Sequence, residues 1–230
     1  MKIIKKIHFS LPEILISLAL VSILLSSLSY FFYQISILNI ASEKIEKQAF
    51  LLRNIEYRLM KILPKTISVN DAHNDFVFFT GKSGFSGFKP GNSYLLFTFD
   101  NKINLVDPQY SNHVIGRIFL DPENNLSLAI TPSLKRWEEP DKIPTTREVL
   151  MEGVDSLDFS FFTGPHPDTP ENNNEQPIPH NTWVSEWRRE YKSLPVMVKI
   201  EISFKESEKK DKRTMIFPLP NATQKITYGM

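Results

Sequence analysis

Residues 5–13 read Lys5-Lys6-Ile7-His8-Phe9-Ser10-Leu11-Pro12-Glu13, and the uninterrupted apolar run ILISLALVSILLSSLSYFFY follows at 14–33. How this stretch is read decides the fold. No charged residue occurs from 14 to 42. The 20 residues of 14–33 match the length an α-helix needs to cross a bilayer, about 20 residues. A cleaved secretory signal shares the basic start and the apolar middle, and Ser27-Leu28-Ser29 is a passable small-x-small cleavage site. The run nevertheless continues through Tyr30, Phe31, Phe32 and Tyr33, beyond a usual signal core. We therefore expect a retained transmembrane helix. Lys2, Lys5 and Lys6 precede it, while Glu43, Lys44, Glu46 and Lys47 after it carry no net charge. The positive-inside bias then puts the N-terminus in the cytoplasm and the remainder outside.

Working outward, the helix does not stop at the membrane. Ile45, Ala49, Leu52, Ile55, Leu59 and Ile62 recur at steps of three and four, the spacing of one face of an amphipathic helix. Glu46, Lys47, Arg53, Glu56, Arg58 and Lys61 fall on the other face. No proline interrupts between Pro12 and Pro64. One helix over 9–64 is expected, on the order of 75 Å long at about 1.5 Å per residue. Its first half is apolar all round and seeks lipid or other helices. Its second half is expected to pack on a globular domain.

Glu13 stands at the edge of the apolar run, where a carboxylate is costly. Two readings of it compete. In one, Ser10-Leu11-Pro12-Glu13 is a capping box: Ser10 is the N-cap, Pro12 sits in the first turn, and Glu13 reaches back to a free backbone N–H. The other comes from the flanking residues. Basic residues, then Phe9-Ser10-Leu11-x-Glu13, then an apolar helix, resemble the class III signal of type IV pilins and pseudopilins. That resemblance implies cleavage by a prepilin peptidase between His8 and Phe9, and N-methylation of Phe9. It makes Glu13 the fifth mature residue, a subunit register key that pairs with a free α-amine. The family carries glycine before the scissile bond where this chain carries His8.

Beyond Pro64 the pattern changes. Runs rich in Phe, Ile, Val and Leu at 76–80, 94–99, 113–120, 126–131, 154–162 and 196–204 are separated by Asp, Asn, Pro and Gly. Val196, Val198, Ile200, Ile202 and Phe204 alternate with Met197, Lys199, Glu201 and Ser203, a half-buried strand. Asp121-Pro122-Glu123-Asn124-Asn125 reads as a hairpin turn. Residues 205–213 read as a charged turn before a last strand at 215–219. The expected class is α+β, with one long N-terminal helix packed on an antiparallel β-rich domain. The segments 116–121, 126–132, 151–159, 183–187 and 194–200 follow one another in an order similar to the minor pseudopilin J family of type II secretion systems. Gly153-Val154-x-x-Leu157-x-Phe159, Trp183 with Trp187, and Leu194-Pro195-x-x-Val198 carry that likeness. The insertion at 165–181 reads as a mobile loop outside it.

Composition narrows the chemistry. The 230 residues carry a net charge of +1, without the basic excess of a nucleic-acid-binding domain. There is no cysteine, so disulfides, thiolate nucleophiles and Cys-rich zinc sites are excluded. Sixteen prolines and 17 phenylalanines against 8 glycines suit a β-rich domain with proline-punctuated loops. Gly81-Lys82-Ser83 is not a phosphate loop, because the glycine required five residues earlier is Phe76. Gly81, Gly84 and Gly87 instead suggest a flexible loop carrying Phe85 and Phe88, which either contact a partner or cover the core. His166, Asp168, Glu175 and His180 fit no ligand spacing. No Asp-x-Asp-x-Asp-Gly calcium loop is present, and no hydrolase signature. Glu138 and Glu139 beside Trp137 read as solvated surface, and Trp183 with Trp187 as core packing rather than a stacking platform.

These readings give a leader at 1–8, a helix at 9–64 with its span at 14–33, and a periplasmic β-rich domain at 65–230. No enzyme activity, cofactor, metal or nucleic-acid partner is expected. The resemblance implies a single-pass inner-membrane subunit near the tip of a type II secretion pseudopilus. Its partners would be the other minor pseudopilins, the major pseudopilin, the prepilin peptidase and membrane lipid. A minor pilin of a type IV pilus, serving adhesion or DNA uptake, is the nearest alternative. An uncut, signal-anchored periplasmic binding protein is another.

Overall fold

The structure, a computed structural model, describes residues 10–67, 77–82, 87–132, 144–164, 179, 181–191, 193–206 and 209–222. Helix α1 (Leu11–Ile62) comes first and ends in a 3-10 turn, Leu63–Lys65. Nine strands follow among the described residues: β1 (Phe78–Lys82), β2 (Ser93–Asp100), β3 (His113–Leu120), β4 (Leu126–Pro132), β5 (Thr146–Met151), β6 (Val154–Phe162), β7 (Trp183–Val184), β8 (Met197–Glu206) and β9 (Lys209–Pro218). They form a five-stranded sheet, β1-β2-β3-β4-β5, and a four-stranded sheet, β7-β6-β8-β9. The strand pairings in both sheets are antiparallel. The fold is α+β, as expected. The chain divides into two compact units, 1–52 and Arg53–Met230.

In the second unit the last turns of α1 pack into the β core. Ile55, Leu59 and Ile62 are buried, and Arg58 pairs with Glu148 of β5 at 2.9 Å. Pro64 ends the helix, since it cannot donate to the preceding turn, and the chain becomes extended at Thr66, which bridges to Phe99 of β2. The apolar stripe was expected to be covered from Ile45 onward. In fact Ile45 is 66% exposed and Ala49 is exposed as well.

The sheets supply the rest of the core from their inner faces. Phe78 of β1 meets Phe161 of β6 edge to face at 6.0 Å, and Trp187 closes on both at 6.4 and 5.8 Å. The buried Trp187 indole donates Nε1–H to the Ser193 carbonyl at 2.9 Å, satisfying its one polar group. Gly116 of β3 lies opposite Phe97. A Cβ there would stand 2.7 Å from Phe97 Cζ, so glycine makes room for the ring.

Several expectations need correction. Residues 205–206 and 209–213 are strand rather than turn: β8 runs to Glu206 and β9 starts at Lys209, the two pairing in register. Lys212 of β9 meets Glu201 of β8 at 3.0 Å across the pair. Charged residues, lysine above all, are how a sheet edge resists further pairing. Gly81 does not belong to a flexible loop but to β1, opposite Tyr94. Trp187 is core, whereas Trp183 on edge strand β7 is 40% exposed, beside Phe162. The hairpin turn at 121–125 is present. Asn124 takes φ +67°, the left-handed region that asparagine tolerates, and the Asp121 carboxylate accepts the Asn125 N–H at 2.7 Å. Apart from Pro179 and Asn181, the insertion at 165–181 lies outside the described residues, as do Trp137, Glu138, Glu139, His166, Asp168, Glu175 and His180.

Candidate functional site

The sequence places its candidate site at the start of α1. His8 and Phe9 lie outside the described residues, so the geometry begins at Ser10. The helix starts at Leu11 with Pro12 next, where a missing N–H leaves no helical bond unmade. The Ser10 carbonyl accepts the N–H groups of Glu13 and Ile14 at 3.0 and 3.3 Å. Glu13 turns back, its Oε2 accepting both the Ser10 backbone N–H and the Ser10 Oγ–H at 3.3 Å. This is one arm of a capping box. The other arm is not made, because the Glu13 N–H donates to the Ser10 carbonyl rather than to the Ser10 hydroxyl. The arrangement also sets a negative charge at the positive end of the helix dipole, a stabilising position. Glu13 is exposed, and its hydrogen bonds to Ser10 leave further acceptor capacity on the carboxylate.

After Glu13 the helix is uncharged to Ser42, and none of its most apolar window is covered by the chain itself. Leu24 is 68% exposed and Phe31 60%. Three of the five serines in the run 14–33 turn their hydroxyls back onto the helix. The hydroxyls of Ser17, Ser22 and Ser26 donate to the carbonyls of Glu13, Leu18 and Ser22, each at 2.8 Å. Within hydrocarbon, where water cannot serve, such internal satisfaction is required. By length and composition α1 is a candidate single membrane span.

Phe85 and Phe88 are the second pair of candidate residues. Phe85 lies outside the described residues. Phe88 is half-buried on a segment tied to β3 by the Lys89 N–H, which donates to the Leu120 carbonyl at 2.8 Å. Its ring stacks on Tyr94 at 5.5 Å and meets Phe119 at 4.7 Å. Phe88 and Glu13 belong to different units of the chain.

Two features escaped the sequence reading. One is the ion pair of Arg147 with Asp121, a carboxylate only 1% exposed. Burial pushes that carboxyl up, but hydrogen bonds from the Asn125 backbone and side chain and the Arg147 charge outweigh it, and the net shift is downward. The other is Arg117, whose guanidinium lies 5.6 Å from the Phe88 ring and 5.9 Å from that of Tyr94. Alternation along β3 was the available signal, since it places Ile115, Arg117 and Phe119 together on the face opposite Gly116 and Ile118.

Among the described residues, no group of three His, Cys, Asp or Glu side chains is placed to hold a metal ion. Comparison with curated proteins returns no match. The model of one family, described as "Protein of unknown function (DUF1494)", matches residues 5–160. That span runs from the lysines ahead of the apolar helix into β6 and covers more than half of the 230 residues, so the chain belongs to this family.

Proposed function

We propose that the protein is a minor pseudopilin, a structural subunit at or near the tip of a type II secretion pseudopilus, acting in export of folded proteins. One observation carries the reading. A long uncharged helix, bare of covering by its own chain, begins with a carboxylate in its first turn and is continuous with the helical turns that pack on an antiparallel β domain. In a simple anchor that carboxylate caps the helix through Ser10 and does no more. In a polymerising helix its spare acceptor capacity also takes an amine, and an acid at the lipid edge is best relieved when that amine stands in the correct register. The leader would be cut between His8 and Phe9, Phe9 methylated, and Glu13 paired with the amine of its own or a neighbouring subunit. The subunit sits in the inner membrane with its N-terminus cytoplasmic and its β domain periplasmic. The other minor pseudopilins, the major pseudopilin and the prepilin peptidase are its partners. It turns over no substrate.

Two measurements test this. Mass spectrometry of the mature chain is expected to find a methylated N-terminal Phe9. An intact Met1 would leave a plain anchor, and a start at Tyr30 a cleaved export signal. Glu13→Leu is expected to leave membrane insertion intact while reducing co-purification with other pilin-like subunits several-fold. Undiminished co-purification would remove Glu13 from the register role.

A further inference from the structure

The outer face of the five-stranded sheet, turned away from the core, has its own cluster of rings and guanidinium groups. Tyr94, Arg117 and Phe119 project from β2 and β3, and Phe88 lies over them from the preceding turn. Phe119 is 6% exposed although it lies on the outer face. Phe88 covers it at 4.7 Å, and the Arg147 guanidinium lies 5.5 Å from its ring. Gly81 gives Tyr94 its place. A Cβ at Gly81 would stand 2.4 Å from Tyr94 Cζ and Oη, so the ring lies down over β1 only because that position has no side chain.

The two arginines differ in what neutralises them. Arg147 pairs with Asp121 and donates to Ser127 Oγ. Arg117 makes no hydrogen bond or ion pair with any described residue. Its Nε–H is the one buried side-chain polar atom without a partner among them. Native proteins rarely leave such a donor unmet. The rings of Phe88 and Tyr94 lie within cation–π reach of the guanidinium, and its terminal Nη donors have no partner among the described residues. A guanidinium edge matches an acceptor that presents two oxygens side by side, a carboxylate or a phosphate.

Charge chooses between those two. Of the neighbouring cations, Lys82 is paired with Glu186 and Arg147 with Asp121. Binding to a nucleic-acid backbone neutralises several phosphates at once, whereas among the described residues Arg117 is the guanidinium here without a hydrogen bond or ion pair, in a surround of aromatic rings, with Arg189 set over the Phe79 ring. We infer that the Arg117–Phe88–Tyr94 cluster is a docking site for a single carboxylate carried on an apolar-flanked acidic segment of a partner protein. The site belongs to the β unit alone and stands independently of any assembly by α1.

The full chain in detergent micelles is titrated against fluorescein-labelled Gly-Leu-Glu-Leu-Gly, its Gln counterpart, labelled oligothymidylate, and acetate as a competitor. The glutamate peptide is expected to bind, and Arg117→Gln to weaken it roughly tenfold or more, the worth of a charge-assisted hydrogen bond. Arg117→Lys falls between, because an ammonium lacks the planar fork. The glutamine peptide is expected to bind no better to the parent than the glutamate peptide binds to Arg117→Gln. Equal binding of the two peptides overturns the inference. So does binding indifferent to Arg117→Gln. Oligothymidylate as the only Arg117-dependent ligand makes the site a phosphate site instead, and acetate binding as tightly as the peptide makes it a site for free carboxylates. Should Arg117→Gln fail to fold, the Arg117 Nε–H resonance of the parent decides: it is expected to shift on adding the glutamate peptide, and an unmoved resonance overturns the proposal.

Discussion

Asp121 shows how one residue couples packing, turn geometry and pH. Its side chain is buried, closes the β3–β4 turn through Asn125 and holds Arg147 over Phe119. Burial opposes the charge, and the Asn125 and Arg147 interactions outweigh it, so the folded carboxyl titrates below its ordinary value of 3.8. The unfolded chain therefore takes up this proton at higher pH than the folded one, and stability rises with pH through that window. The contribution is fully present above about 3.8 and is lost as pH falls through the lower folded value. Glu201 acts in the same direction: burial is outweighed there by the Lys212 hydrogen bond and by Lys199. Glu186 is lowered by its hydrogen bond and charge contact with Lys82. Asp121→Asn keeps the shape and removes the charge. It is expected to cost about 1.5–3 kcal/mol at neutral pH, with the gap to the parent narrowing below pH 3.8. A urea denaturation series against pH checks this, and a gap constant through the acid range would mean that the carboxylate charge contributes nothing.

At the scale of elements, α1 makes the most direct claim. Ile45 and Leu59 lie on one sequence stripe, yet Leu59 is 0% exposed and Ile45 66%. Leu59→Ala is expected to destabilise the β unit by about 2–5 kcal/mol, while Ile45→Ala changes its stability by no more than about 0.5 kcal/mol. Denaturant midpoints of the two variants, with unchanged slopes, separate a docked face from a bare one. Periodicity alone could not tell them apart, because it reports which residues share a face and not where a partner begins. The same physics sets what else was legible. β3, β6 and β8 lie inside their sheets and show alternation, so their bounds were readable to within a few residues. β5 is an edge strand reading Thr-Arg-Glu-Val-Leu-Met with half of its residues exposed and one buried, and it resembles a loop. β9 opens on lysines for the same reason. The half capping box at Glu13 was readable because its partners lie three residues apart. The Arg117 cluster was not, since Phe88, Tyr94 and Arg117 come from one turn and two strands, and only the β2–β3 register joins them.

The whole molecule joins an apolar rod to a β unit that buries its own core, and the rod's length suits a bilayer. A lysine at the middle of such a span costs about 2.5–3.5 kcal/mol of insertion free energy, enough to move a marginal segment out of the membrane but not to unfold a separate domain. Leu24, 68% exposed, stands near the centre of 14–33. The parent chain is expected to stay with the membrane fraction through alkaline carbonate extraction, and Leu24→Lys to appear partly in the supernatant with the β unit still protease-resistant. Neither result depends on whether the leader is cut, because the span begins after Glu13 in both forms. If the parent itself were washed free, the rod would not be spanning lipid. The apolar surface from Leu11 to Ile40 would then have to be covered by other proteins, and the measurement to make next would be the size of that complex.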